Sequence, residues 1–155
     1  MQEHVIILSS RIKRVLDYIE VNHEIGPSLK QASNAIGISK FHFERVFKKE
    51  VGLPYKKYLN IYRYFRVAST LRSHPNISIT NLCFDSCFGD LSNFMKMFKK
   101  ILGCSPKKFT NCSRDPANCS LRKQSYLFQL SEENDLIRTL FGAGCYLHRA
   151  RITNK

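Results

Sequence analysis

The sequence repeats itself. Residues 47–58, Phe47-Lys48-Lys49-Glu50-Val51-Gly52-Leu53-Pro54-Tyr55-Lys56-Lys57-Tyr58, return at 98–109 as Phe98-Lys99-Lys100-Ile101-Leu102-Gly103-Cys104-Ser105-Pro106-Lys107-Lys108-Phe109, an offset of 51 residues. Both copies read Phe-Lys-Lys, two residues, Gly, three residues, Lys-Lys and an aromatic. Similarity at a fixed period restricts the fold more tightly than composition does, because it requires one small unit to be built twice. Two copies are too few for a solenoid, so the expectation is two similar subdomains in one chain. Each copy runs a basic, apolar-periodic helix into a Gly stop and a turn, then into a second basic pair.

The 155 residues suit one ordinary domain or two small ones sharing a core. There are 25 Lys and Arg against 12 Asp and Glu, a formal charge of +13, and the excess is localised. Residues 1–39 hold four basic and four acidic side chains, whereas residues 40–108 hold fourteen and four. A basic band over the two copies and the segment between them suits a polyanion, most often nucleic acid. The competing reading is a solvated basic surface with no partner. No stretch reaches the roughly 18 apolar residues of a membrane span, and Val5-Ile6-Ile7-Leu8 is too short for a signal-peptide core and lacks a positively charged n-region. The expectation is a cytoplasmic protein that engages no membrane, with its six Cys (Cys83, Cys87, Cys104, Cys112, Cys119 and Cys145) as free thiols.

Along the chain the periodicity predicts an all-α core. Ile12, Val15, Leu16 and Ile19 mark one face of a helix over residues 9–22, capped by Ser9 or Ser10 and broken by Gly26-Pro27. Ser28 caps a short helix over 29–36. Gly37 sits at a tight turn, and Ser39 caps a helix from Lys40 to Val51 whose inward face is Phe43, Val46, Phe47 and Glu50/Val51. A short helix, a small residue (Ser33), a Gly four later and a second helix with a basic outer face is helix-turn-helix geometry. Pro54 opens a long helix over 55–73, with Tyr58, Leu59, Tyr62, Phe65, Ala68, Ser69 and Leu71 as its apolar side and Arg63, Arg66 and Arg72 as its basic side. The second unit follows over 77–110. Ser78 caps its first helix, Cys83 and Cys87 stand where Ser33 and Gly37 stood, and Leu91 or Ser92 opens its second helix. Ser105-Pro106 opens a last turn of helix. Residues 111–155 form a tail of unassigned role, with a linker over 113–118, an alternating Tyr126, Phe128 and Leu130, and a short helix carrying Leu136, Ile137, Leu140 and Phe141.

With Ser39-Lys40-Phe41-His42-Phe43-Glu44-Arg45-Val46-Phe47-Lys48-Lys49-Glu50-Val51-Gly52 in the first unit, and Phe88, Asp90, Phe94, Phe98-Lys99-Lys100, Gly103 and Pro106 in the second, residues 9–110 resemble the DNA-binding domain of AraC/XylS-type bacterial transcription regulators. The layout is similar to that of the short stand-alone members. The resemblance implies two helix-turn-helix subdomains (about 9–53 and 77–110) joined by a linker helix (about 55–73), each placing a recognition helix in the major groove of double-stranded DNA. It further implies a transcription regulator, an activator touching RNA polymerase, bound as a monomer or weak dimer without a cofactor. Because the units differ in sequence, the DNA site should be asymmetric. Only about eight residues precede the first helix, so control through protein abundance is expected rather than through a preceding sensory domain.

Candidate base-reading residues are Phe41, His42, Glu44 and Arg45 in the first unit and Ser92, Asn93 and Lys96 in the second. Arg45 leads because its guanidinium matches guanine O6 and N7, and Phe41 suits a thymine methyl. The competing readings are a phosphate or carboxylate partner for Arg45 and a solvated surface site for His42. Leu91 and Met95 are expected on the outer face, where they offer no hydrogen bonds, so the second helix should read fewer bases. Lys40, Lys48, Lys49, Lys99 and Lys100 are phosphate candidates, against solvated charge. Cys87 at a Gly position implies either an unfavourable φ or a reshaped turn, and Thr110 stands where the family commonly has a basic residue. Cys83 and Cys87, four apart, allow a metal or redox pair, although two packed small residues is the simpler reading. No Gly-rich phosphate loop, nucleophile elbow or His-Glu-x-x-His motif is present, so neither an enzyme nor a metal site is expected. The alternative function is a protein-interaction module, a helix-turn-helix protein with a degenerate second unit that modulates another regulator. Cys87, Leu91 and Met95 motivate it.

Overall fold

The computed structural model describes residues 8–112. Among them the chain is all-helical, in the order α1 (Ser10–Asn22), α2 (Leu29–Ala35), α3 (Lys40–Val51), α4 (Tyr55–Ser73), α5 (Ile79–Asp85), α6 (Leu91–Leu102) and α7 (Pro106–Cys112). The strand and helix expected beyond residue 112 lie outside the described residues. Short polar side chains start most of the helices, α4 excepted, by accepting otherwise orphaned backbone N–H groups. Ser9 accepts from Ile12, Ser39 from His42 and Ser78 from Asn81, while Ser28 and Gln31 cap each other reciprocally. Gly52 and Gly103 end α3 and α6 in the left-handed region, at φ 82° and 86°.

Two helix-turn-helix subdomains result, α2 with α3 and α5 with α6. The first helices are both seven residues long and 50 apart, the second helices both twelve residues long and 51 apart. One extra residue therefore enters the second turn, which runs Cys87-Phe88-Gly89-Asp90 where the first runs Gly37-Ile38-Ser39. The turns are otherwise bonded alike. Ile38 N–H donates to the Ser33 carbonyl and Phe88 N–H to the Cys83 carbonyl, at 3.2 and 3.1 Å. Ser33 and Cys83 are both buried where the two helices of each pair meet.

The linker helix α4 departs from the single apolar stripe expected of it. Its first half buries Tyr55, Tyr58 and Leu59, and its second half buries Tyr64, Val67, Ala68 and Leu71. At 3.6 residues per turn these sets lie roughly half a turn apart. Ser69 is exposed, and Tyr62 and Phe65 are only half-buried. The reason is that α4 supplies two cores. Tyr55 meets Phe43 and Phe47 edge-on at 5.2 and 5.5 Å between centroids, and Tyr64 stacks on Phe94 at 5.6 Å. Burial pushes the Tyr64 phenol up to about 12. In the second unit Phe98 bridges Phe94 and Phe109, which ties α7 to α6.

Candidate nucleic-acid interface

The residues expected to meet DNA lie on the outer sides of α3 and α6. On α3, Lys40, Phe41, Glu44, Arg45, Lys48 and Lys49 are exposed, and Phe41 is 80% exposed although aromatic. The inner side is fixed by Phe43, Phe47 and Val51, each fully buried. With that side anchored, the outer one faces solvent, as a groove-inserted helix requires. The Lys40 ammonium lies 5.4 Å from the centre of the Phe41 ring. His42 is half-buried, and its Nδ1 lies 3.2 Å from Arg45 Nη2, one turn on. A guanidinium only donates, so the imidazole Nδ1 accepts. His42 thus holds the guanidinium of the leading candidate for base contact.

On α6, Ser92, Asn93, Lys96, Lys99 and Lys100 are exposed. Leu91 and Met95 are not the outward positions expected of them. Both are half-buried and packed against the core. Their positions match the exposed Lys40 and Glu44 of α3, but as apolar side chains they pack back on the edge of the second core. The alternative of an interaction module loses the exposed apolar pair that motivated it. Asp90 itself is a cap that the sequence reading missed. Its carboxylate accepts from Ser92 N–H at 3.3 Å and from Asn93 N–H at 2.7 Å. The available signal was an acidic residue one position before an apolar-periodic run.

Two further residues escaped the sequence reading. Glu50 accepts from both the backbone N–H and the hydroxyl of Ser9, each at 2.9 Å, which pins the start of α1 to the end of α3. Arg63, expected on an exposed basic side of α4, is half-buried and donates from Nε to the His23 carbonyl at 3.3 Å. No local pattern distinguishes it from Arg66, which is exposed. Cys83 and Cys87 do not form a pair on one helix. α5 ends at Asp85, Cys83 is buried and Cys87 is exposed in the turn at φ 60°. Burial, and secondarily the Asp90 carboxylate, push the Cys83 thiol above its ordinary range, so it stays protonated and packs as a small apolar residue. No helix among the described residues is long and apolar enough to cross a membrane.

Comparison with known proteins places this geometry in context. A family profile described as a helix-turn-helix domain matches residues 32–111. The HTH-type transcriptional activator AarP of Providencia stuartii is 32% identical over 108 residues, which is 70% of this chain and 79% of that protein. An HTH-type transcriptional regulator of Staphylococcus aureus is 26% identical over 104 residues, 67% of this chain and 14% of its own length. A second, from strain MSSA476, is 25% identical over the same length and shares. The chain thus spans most of AarP and a small part of the staphylococcal proteins.

Proposed function

The chain belongs to the AraC-type helix-turn-helix family, and from that premise we propose that it is a sequence-specific activator of transcription that sets α3 and α6 into successive major grooves on one face of double-stranded DNA. The observation that carries the proposal is the duplicated twelve-residue helix with an anchored apolar side and an exposed basic side. The 19-residue α4 joins the two units. At about 1.5 Å per residue it spans roughly 28 Å, and with the width of the subdomains this bridges the 34–36 Å between successive major-groove visits. In this reading Arg45, Phe41, His42 and Glu44 face base edges from α3, and Ser92, Asn93 and Lys96 from α6. Lys40, Lys48, Lys49, Lys99 and Lys100 hold phosphates. The protein acts in the cytoplasm as a monomer or weak dimer on an asymmetric site.

Activation requires a second surface, and the outward side of α1 with the turn after it fits that role. Asp17, Glu20, Val21, Glu24 and Ile25 recur at helical spacing, and Val21 and Ile25 are 80% and 73% exposed. In a chain of charge +13 this acidic, apolar strip suits a protein partner, here RNA polymerase, better than DNA. The test is binding of the intact chain to genomic fragments at physiological salt. The best fragment should bind at least about a thousandfold tighter than bulk competitor DNA. If no fragment binds better than competitor, the regulator reading fails.

A further inference from the structure

We propose that Arg63 is a positioning residue that locks the two recognition helices at one separation, so that the protein selects the spacing of its two DNA segments as well as their sequence; this rests on the groove-reading roles of α3 and α6 given above. Arg63 stands at the seam between the units and touches both. Towards the first, its Nε donates to the carbonyl of His23, the residue that caps the C-terminal end of α1, where a cation is favoured by the helix dipole. Its guanidinium lies against Gly26, where a Cβ would stand 1.5 Å from Nη2, and Gly26 is in the left-handed region at φ 66°. Towards the second unit, the Arg63 guanidinium carbon is 6.0 Å from the centre of the Phe88 ring. Phe88 packs on Tyr64 at 4.6 Å and on Phe94 at 5.0 Å, and Phe94 is a fully buried anchor of α6. One side chain on the linker thus ties the end of α1 to the turn that sets the entry of α6.

A second contact crosses the same seam. The Cys87 thiol donates to the Glu24 carbonyl. Cys87 reaches it from φ 60°, a conformation that disfavours a residue with a Cβ, whereas the equivalent Gly37 adopts φ 69° without that cost. Part of the seam is open. A cavity of about 270 Å³ opens along α4 between His23 and Glu24 on one side and Leu82 and Asp85 on the other, with Arg63 and Arg66 in its wall. Arg63 and Cys87 thus add polar contacts across the seam to the angle that α4, packed into both cores, sets. Inserting one base pair shifts the second DNA segment by about 3.4 Å and about a tenth of a turn, which a locked reader does not follow.

The experiment measures affinity for the best natural site and for sites lengthened or shortened by one base pair between the two segments. It is paired with residual dipolar couplings of both units in the free protein. For the wild type, altered spacing should cost about tenfold or more, and both units should fit one alignment tensor. Arg63→Ala should bring the spacing penalty close to one and require two tensors, with Arg63→Lys intermediate because an ammonium lacks the planar fork. Cys87→Gly should raise the melting temperature by relieving the turn yet reduce the spacing penalty, opposite directions that a purely structural role does not produce. If Arg63→Ala does not fold, the Lys and Cys87→Gly variants decide. Variants that keep the full wild-type penalty and a single tensor overturn the lock. A wild type with one tensor but no spacing dependence leaves the lock standing and overturns the two-groove reading on which its consequence rests.

Discussion

The two units are the same scaffold carrying different surfaces. Phe43 and Phe47 in the first correspond to Phe94 and Phe98 in the second, all buried, and each α3 or α6 ends on a left-handed Gly. Outside the core the correspondence breaks. Phe41, His42 and Arg45 in one stand against Ser92, Asn93 and Lys96 in the other. Ser39 caps α3 with a neutral hydroxyl, whereas Asp90 caps α6 with a carboxylate. Gly37 turns freely where Cys87 turns under strain. Packing and helix termination tolerate little change, so they persist through duplication. The exposed side is constrained only by what it touches, so it diverges.

The likeness of the cores makes the largest prediction. Phe47→Ala removes a ring packed on Phe43, Tyr55 and Tyr58, and Phe98→Ala one packed on Tyr64, Phe94 and Phe109. Each should cost about 3–5 kcal/mol in urea unfolding. A loss below about 1 kcal/mol for Phe98→Ala alone would show that the second core is not built to the density of the first.

The difference between the outer surfaces makes the next. Arg45→Ala should cost about 1–3 kcal/mol of binding to a specific site and relax preference at one base pair, read by a binding-site selection. Asn93→Ala should cost less, because its first-turn neighbours offer few further hydrogen bonds to base edges. Equal and base-specific losses would make α6 as much a reader as α3. Equal losses of Arg45→Ala on specific and random DNA would move Arg45 to the phosphates.

What was legible in the sequence follows the same division. Caps and stops other than Asp90 were readable because they depend on one residue and its neighbours. Ser28, Ser39, Ser78, Gly52 and Gly103 each act where the sequence places them. That Cys87 required either an unfavourable φ or a reshaped turn was readable from its alignment with Gly37, and φ 60° decides for the first. The apolar side of α4 was misread because a single stripe assumes one partner, and a helix shared by two cores carries two stripes roughly half a turn apart. Leu91 and Met95 were misplaced because they stand where α3 has the exposed Lys40 and Glu44, and apolar side chains at those edge positions fold back onto the core. Glu50 with Ser9 and Arg63 with His23 join residues about forty positions apart, and no periodicity reports pairings of that range. The candidate contact residues were legible as an exposed basic side; the hold of His42 on Arg45 required coordinates.

The caps test whether the second helix is handicapped by its own start. Ser39→Ala and Asp90→Ala should each cost about 1 kcal/mol in thermal unfolding. Asp90→Ser should keep that stability, since a hydroxyl still caps, while removing a negative charge from the end of α6 that otherwise favours an approaching phosphate. DNA affinity should therefore rise with Asp90→Ser. Unchanged affinity would mean that α6 brings its N-terminus near no phosphate.

The smallest effects belong to the lysines that both units share, and they test the part of the comparison that predicts sameness. Lys48 and Lys99 occupy equivalent positions in the last turn of α3 and α6, both exposed. A lysine on a phosphate contributes through released counterions, whatever the base sequence. Lys48→Ala and Lys99→Ala should therefore each flatten the dependence of log affinity on log salt by about one unit, alike on specific and random DNA. Lys48→Ala flattening the slope while Lys99→Ala leaves it unchanged would place only the first unit on the backbone. The duplicated charge of the second would then be solvated surface, and the divergence seen at the reading positions would extend to the whole of α6.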